Sequence, residues 1–209
     1  SSDGSFSQYS TNYHRLLIDI LSLVAFFNNE FNLEKLSTNF YDKASKAIYW
    51  LWSITDDSSG VAPNIGANDG SYLLNLTKSD YNDFRPSIQL ASVIINGKRL
   101  YESKDEDEIL SWFKINENHC PLSIRQKDSE IFRDFGLVRI SKNDLAGYLK
   151  YPNYRFRPSQ ADIMHLEILD QGKSLISDAG SYSYSESEFW NNYFTGIESH
   201  NSIQFDNQQ

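Results

Sequence analysis

The 209 residues give room for one large domain or two small ones. Hydrophobic residues make up 40% and charged residues 22%, with 13 Phe, 13 Tyr and 4 Trp, a composition that excludes disorder for most of the chain. Nineteen basic against 28 acidic residues leave a net charge of −9, which disfavours nucleic acid and anionic membrane surfaces as partners. No apolar run is long enough for a transmembrane helix, and the single Cys120 can close no internal disulfide. The first residues lack both an initiator Met and the apolar stretch of a signal peptide, and residues 202–209 begin like a strand and stop. The expectation is of a chain cut out of something longer.

From Ser10, a plausible N-cap, to about Asn28, apolar residues recur at spacings of three and four and predict an amphipathic helix. After the break at residues 28–30, Leu33, Leu36, Phe40, Ala44, Ala47, Ile48 and Leu51 repeat the helical period up to Trp52, which predicts an antiparallel helix pair. The apolar faces of both are too wide for one partner, so further helices are expected around them. Residues 55–70 carry turn chemistry and read as an ordered loop. Residues 85–95, with Pro86 in the first turn, favour a helix over a hairpin centred on Asn96-Gly97, because Ile88, Leu90, Ala91 and Ile94 do not alternate. A short acidic helix is expected over residues 105–113. Beyond Cys120-Pro121 the apolar period drops to two in residues 135–140, 163–169 and 174–177, the mark of antiparallel strands. The chain therefore divides near residue 120 into a helical part, 1–119, and a β part, 120–209.

Few residues carry obvious chemistry. Of the four histidines, His14 follows Tyr13 at the start of the first helix, and Asp178 and His200 bracket a Gly/Tyr-rich segment, which is weak evidence for a metal site. Asn64 to Gly70 is rich in oxygen donors but lacks the alternating carboxylates of an EF-hand, and a structural turn is the favoured reading.

Five short stretches occur in order: residues 3–14 ending in Tyr13-His14, residues 64–70 (Asn-Ile-Gly-Ala-Asn-Asp-Gly), Gln160-Ala161-Asp162, residues 178–182 ending in Tyr182, and His200-Asn201. Together they resemble the heparinase II/III-like polysaccharide lyases, over nearly the whole chain. The resemblance implies an α+β multidomain fold, the end of an α/α toroid followed by the first part of an antiparallel β-sandwich, with more chain on both sides. It implies β-elimination on an acidic, uronate-containing polysaccharide, outside the cytoplasm in the periplasm or beyond. Tyr13 takes the place of the family's base and acid, with Tyr9 as the alternative, and His14, Arg157 and Tyr182 are the other candidate catalytic residues. Tyr9, Asn68 and Tyr184 are the candidate substrate-binding residues. A divalent metal, zinc or calcium, would be held by Gln160, Asp178 and His200.

One departure stands out. Where the family carries a His-x-His-x-Asp stretch, this chain has Pro158 and Gln160, so a catalytic donor is lost and the metal site weakened, an amide oxygen being a poor substitute for imidazole at zinc. His165 could compensate, but counted along a strand it falls on the face opposite Gln160. The departure keeps a second expectation alive, a protein of the same fold that binds or helps to assemble a surface polysaccharide without turnover.

Overall fold

A computed structural model describes residues 1–102, 104–153, 160–183, 185 and 187–204. Helix α1 (Thr11–Glu30) starts at the expected cap, with Ser10 Oγ accepting the Tyr13 N–H at 3.1 Å. Helix α2 (Thr38–Ile54) starts later than the apolar period suggests. Asn32 takes a left-handed backbone (φ 49°) that ends the first helix, and Ser37 rather than a residue near Leu33 supplies the cap, accepting the Phe40 N–H. Helix α3 (Arg85–Asn96) carries Pro86 in its first turn as expected, and α4 (Lys104–Trp112) sets Asp105, Glu106 and Asp107 at its positive end. Helix α3 packs against α1, α2 and α4, so the helix pair does find further helical partners.

The β part is a five-stranded antiparallel meander in chain order: β1 (Glu130–Phe132), β2 (Leu137–Lys142), β3 (Leu145–Lys150), β4 (Leu166–Asp170) and β5 (Lys173–Ile176). Three of these strands match expected segments. Strand β1 is too short for a period to show, and Ala146-Gly147 interrupts the apolar signal of β3. A fifth helix, α5 (Glu188–Thr195), was not foreseen in the Ser/Tyr-rich tail. The described residues contain no helix long and apolar enough to cross a membrane.

The two parts share one core. Trp50, Leu51 and Ile54 from α2 meet Phe132, Phe135, Leu137, Tyr148 and Leu169 from the sheet, and the Tyr148 hydroxyl donates to the Ile54 carbonyl at 2.9 Å. The amino-terminal loop adds a polar tie, Asp3 accepting the backbone N–H groups of Asp134 and Phe135. Aromatic surface buried across the junction packs the sheet against the helical layer.

Arg15 on α1 is fully buried, its guanidinium 4.1, 4.5 and 4.6 Å from the rings of Tyr72, Tyr81 and Phe84. One turn further on, Asp19 is buried as well, and desolvation, only partly offset by Ser87 and Arg15, raises its pKa to about 7. In the unfolded chain the same carboxyl titrates near 3.8. Folding therefore holds a proton that the unfolded chain releases, and stability is lost between these two pH values at roughly 1.4 kcal/mol per pH unit. Thermal melts of Asp19→Asn across this range are expected to match wild type near pH 4 and to exceed it increasingly towards pH 8. Equal melting temperatures at pH 8 would show that the ionised carboxylate is fully compensated.

Candidate functional site

The site is organised by a clamp between the start of α1 and the loop 64–70. Ser10 Oγ donates to the Ala67 carbonyl at 2.6 Å, and the Thr11 N–H donates to the Ile65 carbonyl at 3.0 Å. So close an approach requires Gly66, at φ +74°, because a Cβ there would lie 2.0 Å from the Tyr9 carbonyl oxygen. The clamp puts Asp69 against the first turn of α1. Its carboxylate accepts the Tyr13 hydroxyl at 2.9 Å, the Ser71 N–H at 2.9 Å and, more loosely, the Asn12 amide at 3.5 Å. Slight desolvation acts to raise the Asp69 pKa, but the hydrogen bonds from Ser71 and Tyr13 outweigh it and hold the carboxyl below its ordinary range.

Asp69 borders an open cleft of about 470 Å³. One wall is Asn64, Asn68, Asp69 and Gly70 from the helical part; the other is Gly180, Ser181, Tyr182, Ser183 and Ser185 from the segment after β5. The walls are tied together where the Asn68 N–H donates to Ser181 Oγ at 3.0 Å, and Ser181 also accepts the Gln160 amide at 3.3 Å. The Asn68 side chain braces the loop: Oδ1 accepts the Tyr81 hydroxyl at 2.6 Å and the Gly70 N–H at 3.0 Å, and Nδ2 donates one hydrogen to Asn64. Gly180, at φ +78°, passes so near Asn64 that a Cβ would lie 3.0 Å from the Asn64 amide nitrogen.

A second cluster, at the β4 end of the sheet, is buried. Asp178 Oδ2 accepts the His200 Nδ1–H at 2.7 Å and lies 3.5 Å from His165 Nε2, which is equally far from Glu167 Oε1. The ligand atoms of His165, Asp178 and His200 all fall within 4.8 Å of one another. His165 Nε2, His200 Nε2 and Glu167 Oε1 are buried without hydrogen-bond partners. Desolvation raises the Glu167 pKa, opposed chiefly by His165. Two imidazoles and a carboxylate are donors that zinc accepts, and separations of 3.5 Å are close to the ~3.4 Å edge of a tetrahedron with bonds near 2.1 Å. The residues fit a divalent cation with one adjustment at each histidine. His165 Nδ1 accepts the Asn201 N–H at 3.1 Å, so binding through Nε2 shifts the ring proton to Nδ1 and opens that contact. His200 faces Asp178 with Nδ1, so sharing an ion with Asp178 means binding through that atom, with its proton moved to Nε2 and the ion replacing the hydrogen bond.

The structure brings together Asp178 and His200 as the sequence suggests, but seats His165 with them. The strand count that sent His165 to the opposite face fails because Met164 takes a left-handed backbone (φ 61°) and β4 begins only at Leu166. Gln160, proposed as a ligand, donates its amide N–H to Ser181, and its Oε1 is buried without a hydrogen-bond partner. Tyr13 stands beside the cleft through Asp69, and Tyr182 lines it. His14 and Tyr9 do not reach it. His14 is fully buried, stacked 4.4 Å from Trp50 and bonded to the Ala47 carbonyl, and burial lowers its pKa to about 4. Tyr9 packs against Phe135 in the core. Arg157 and Tyr184 lie outside the described residues. Sequence reasoning passed over Asp69 and Glu167 individually, although Asp69 sits in the singled-out 64–70 stretch and Glu167 in an expected strand.

Residues 124–209 match the family described as Heparinase II/III-like, C-terminal. Among solved structures, the chain superposes on a crystal structure of heparinase III with a TM-score of 0.69 and 16% identity, over 100% of this chain and 33% of that one. It superposes on heparan sulfate lyase HepC from Pedobacter heparinus with a TM-score of 0.68 and 21% identity, over 100% of this chain and 31% of that one. At these identities the likeness speaks for the fold, and the chain spans about a third of the length of either structure. No curated protein matches the chain.

Because the Asn68 side chain braces loop 64–70, Asn68→Ala should cost roughly 1–3 kcal/mol by leaving the Tyr81 hydroxyl and the Gly70 N–H without their acceptor. Chemical denaturation reads this directly, and a change below ~0.5 kcal/mol, the usual effect of a surface substitution, would show that loop 64–70 is held by other contacts.

Proposed function

We propose, from the premise that residues 124–209 form a heparinase II/III-like C-terminal domain, that the protein acts on an acidic polysaccharide by β-elimination in the cleft between loop 64–70 and the segment after β5. On this reading the helices are the closing part of an α/α toroid, and the meander is the first sheet of a β-sandwich. A polysaccharide substrate also fits a place of action outside the cytoplasm. The observation that carries the reading is the Tyr13–Asp69 pair at the rim of a cleft walled by both parts of the fold.

β-Elimination moves two protons: one leaves the carbon beside the uronate carboxylate, the other goes to the departing glycosidic oxygen. The Tyr13–Asp69 pair handles both without a net gain or loss of protons. As the phenol oxygen takes the proton from carbon, the phenol's own proton passes to Asp69. The proton just taken then goes to the leaving oxygen, and Asp69 returns the other to Tyr13. The negative charge that builds on the uronate needs donors, and Arg157 is the residue we assign to it, since guanidinium forms two fixed hydrogen bonds to a carboxylate. His14 has no part in this scheme, being enclosed and uncharged.

A divalent cation belongs to the reading as a structural element. His165, Asp178 and His200 would hold it, with Glu167 alongside, and all four are buried, whereas a catalytic metal needs an open position for water or substrate. When bound, it would neutralise two buried carboxylates and fasten the segment after β5, and with it one wall of the cleft. Zinc added to metal-free protein is expected to raise the melting temperature in wild type and in Gln160→Ala but not in His200→Ala. A zinc-dependent rise in His200→Ala would remove the cluster from metal binding.

The second reading, polysaccharide binding without turnover, is favoured by one observation: Gln160, which donates its amide N–H to Ser181, stands where the resemblance places an imidazole. The two readings part on Tyr13→Phe. For the enzyme, the variant should lose at least about 100-fold in the rate of unsaturated uronate formation, the usual scale for removing a proton-transfer group, with polysaccharide affinity unchanged. Wild-type protein that binds an acidic polysaccharide but releases no unsaturated product would support the second reading.

A further inference from the structure

Helix α5 faces solvent with aromatic rings: Phe189 is 68%, Trp190 43% and Tyr193 40% exposed. Tyr182, itself 65% exposed, joins them, stacked 5.2 Å from Phe194 at an interplanar angle of 19° and 6.2 Å from Trp190. Trp190 in turn lies 6.0 Å from Phe194 and 6.1 Å from Tyr193. Such an array left in water loses the hydrophobic gain that aromatic residues usually secure by burial. Tyr182 holds its place on a left-handed backbone (φ 55°), uncommon for a bulky residue and a kind of strain that gathers at ligand sites.

The array is continuous with the cleft, because Tyr182 belongs to both. It is also anchored: the Thr195 carbonyl accepts the Ala161 N–H at 2.8 Å, and Ser199, next to His200, donates to the Phe194 carbonyl at 3.1 Å. We propose that Tyr182, Phe189, Trp190 and Tyr193 form a stacking subsite that receives a pyranose ring of the bound polysaccharide beside the cleft. This rests on the polysaccharide reading above and adds the place and the mode of recognition.

The chemistry selects the occupant. A pyranose ring presents an apolar C–H face and a polar rim, and here aromatic planes adjoin the hydroxyls and amides of Ser181, Ser183 and Asn68. A protein partner would be met by aliphatic side chains too, but α5 contains no Leu, Ile, Val or Met. Its one charged residue is Glu188, so nothing on the helix attracts a uronate or sulfate group. The subsite therefore reads ring shape, and its contribution to affinity does not vary with salt, in contrast to charge recognition in the cleft.

The test measures binding, with the intact protein and hexasaccharides of heparan sulfate, hyaluronan and alginate as probes. Trp190→Ala is expected to weaken the best-bound probe roughly tenfold, equally at low and high salt, while Trp190→Phe keeps most of the affinity. Phe189→Ala should act in the same direction. Wild-type affinity in both alanine variants overturns the proposal, as does a loss confined to low salt or the failure of wild type to bind any of the three probes. Intact binding with no product formed would count against the β-elimination reading alone. Turnover that depends on Tyr13, with affinity indifferent to α5, would count against the stacking subsite alone.

Discussion

The contact on which the rest depends is the one between the first turn of α1 and the loop 64–70. A helix N-terminus has unpaired N–H groups, and here Ser10 supplies one acceptor while the Ile65 carbonyl supplies another. Satisfying the end of a helix thereby fixes a loop 57 residues further on, Ser10 donating to Ala67. Tyr13 meets Asp69 as a result, and Asn68 meets Ser181. One local requirement of the backbone places the groups that the cleft uses.

Burial supports the same arrangement from below. Arg15 is enclosed by three rings one helical turn from the clamp, and His14 fills the gap between α1 and α2 against Trp50. A charged group and a polar ring in such positions are costly unless their hydrogen bonds are made, which restricts α1 to one rotation about its axis. That rotation carries Tyr13 outward. The pair Tyr13-His14 thus divides its work, one residue for the surface and the other for the core, as adjacent residues on a helix must.

The sequence revealed the elements whose signals are periodic and hid those whose signals are not. Helices α1 and α3 and strands β2, β4 and β5 were legible from apolar spacing, and Ser10 from its cap chemistry. Strand β1 was too short, α5 lay in a tail dominated by Ser, Asn and aromatic residues, and the start of α2 depended on a left-handed Asn32 that spacing cannot register. The site shows the same division. Asp178 and His200 were legible because they bracket a Gly/Tyr-rich segment, and the resemblance pointed to the same pair. His165 was set aside by counting along a strand that Met164 interrupts, and Gln160 was favoured because the motif places a ligand there. Tyr9 and His14 looked like site residues because they flank Tyr13 in a motif, but proximity in sequence says nothing about which face of a helix is buried.

The central claim is that a uronate-containing chain lies across the cleft with its reacting ring at Tyr13. A crystal structure of the intact Tyr13→Phe protein with a bound acidic hexasaccharide tests this most directly. The account requires a ring whose α-carbon lies within hydrogen-bond reach of the position of the Tyr13 hydroxyl, between the 64–70 loop and residues 180–185. An oligosaccharide bound elsewhere on the protein, with this cleft filled by water, would contradict it.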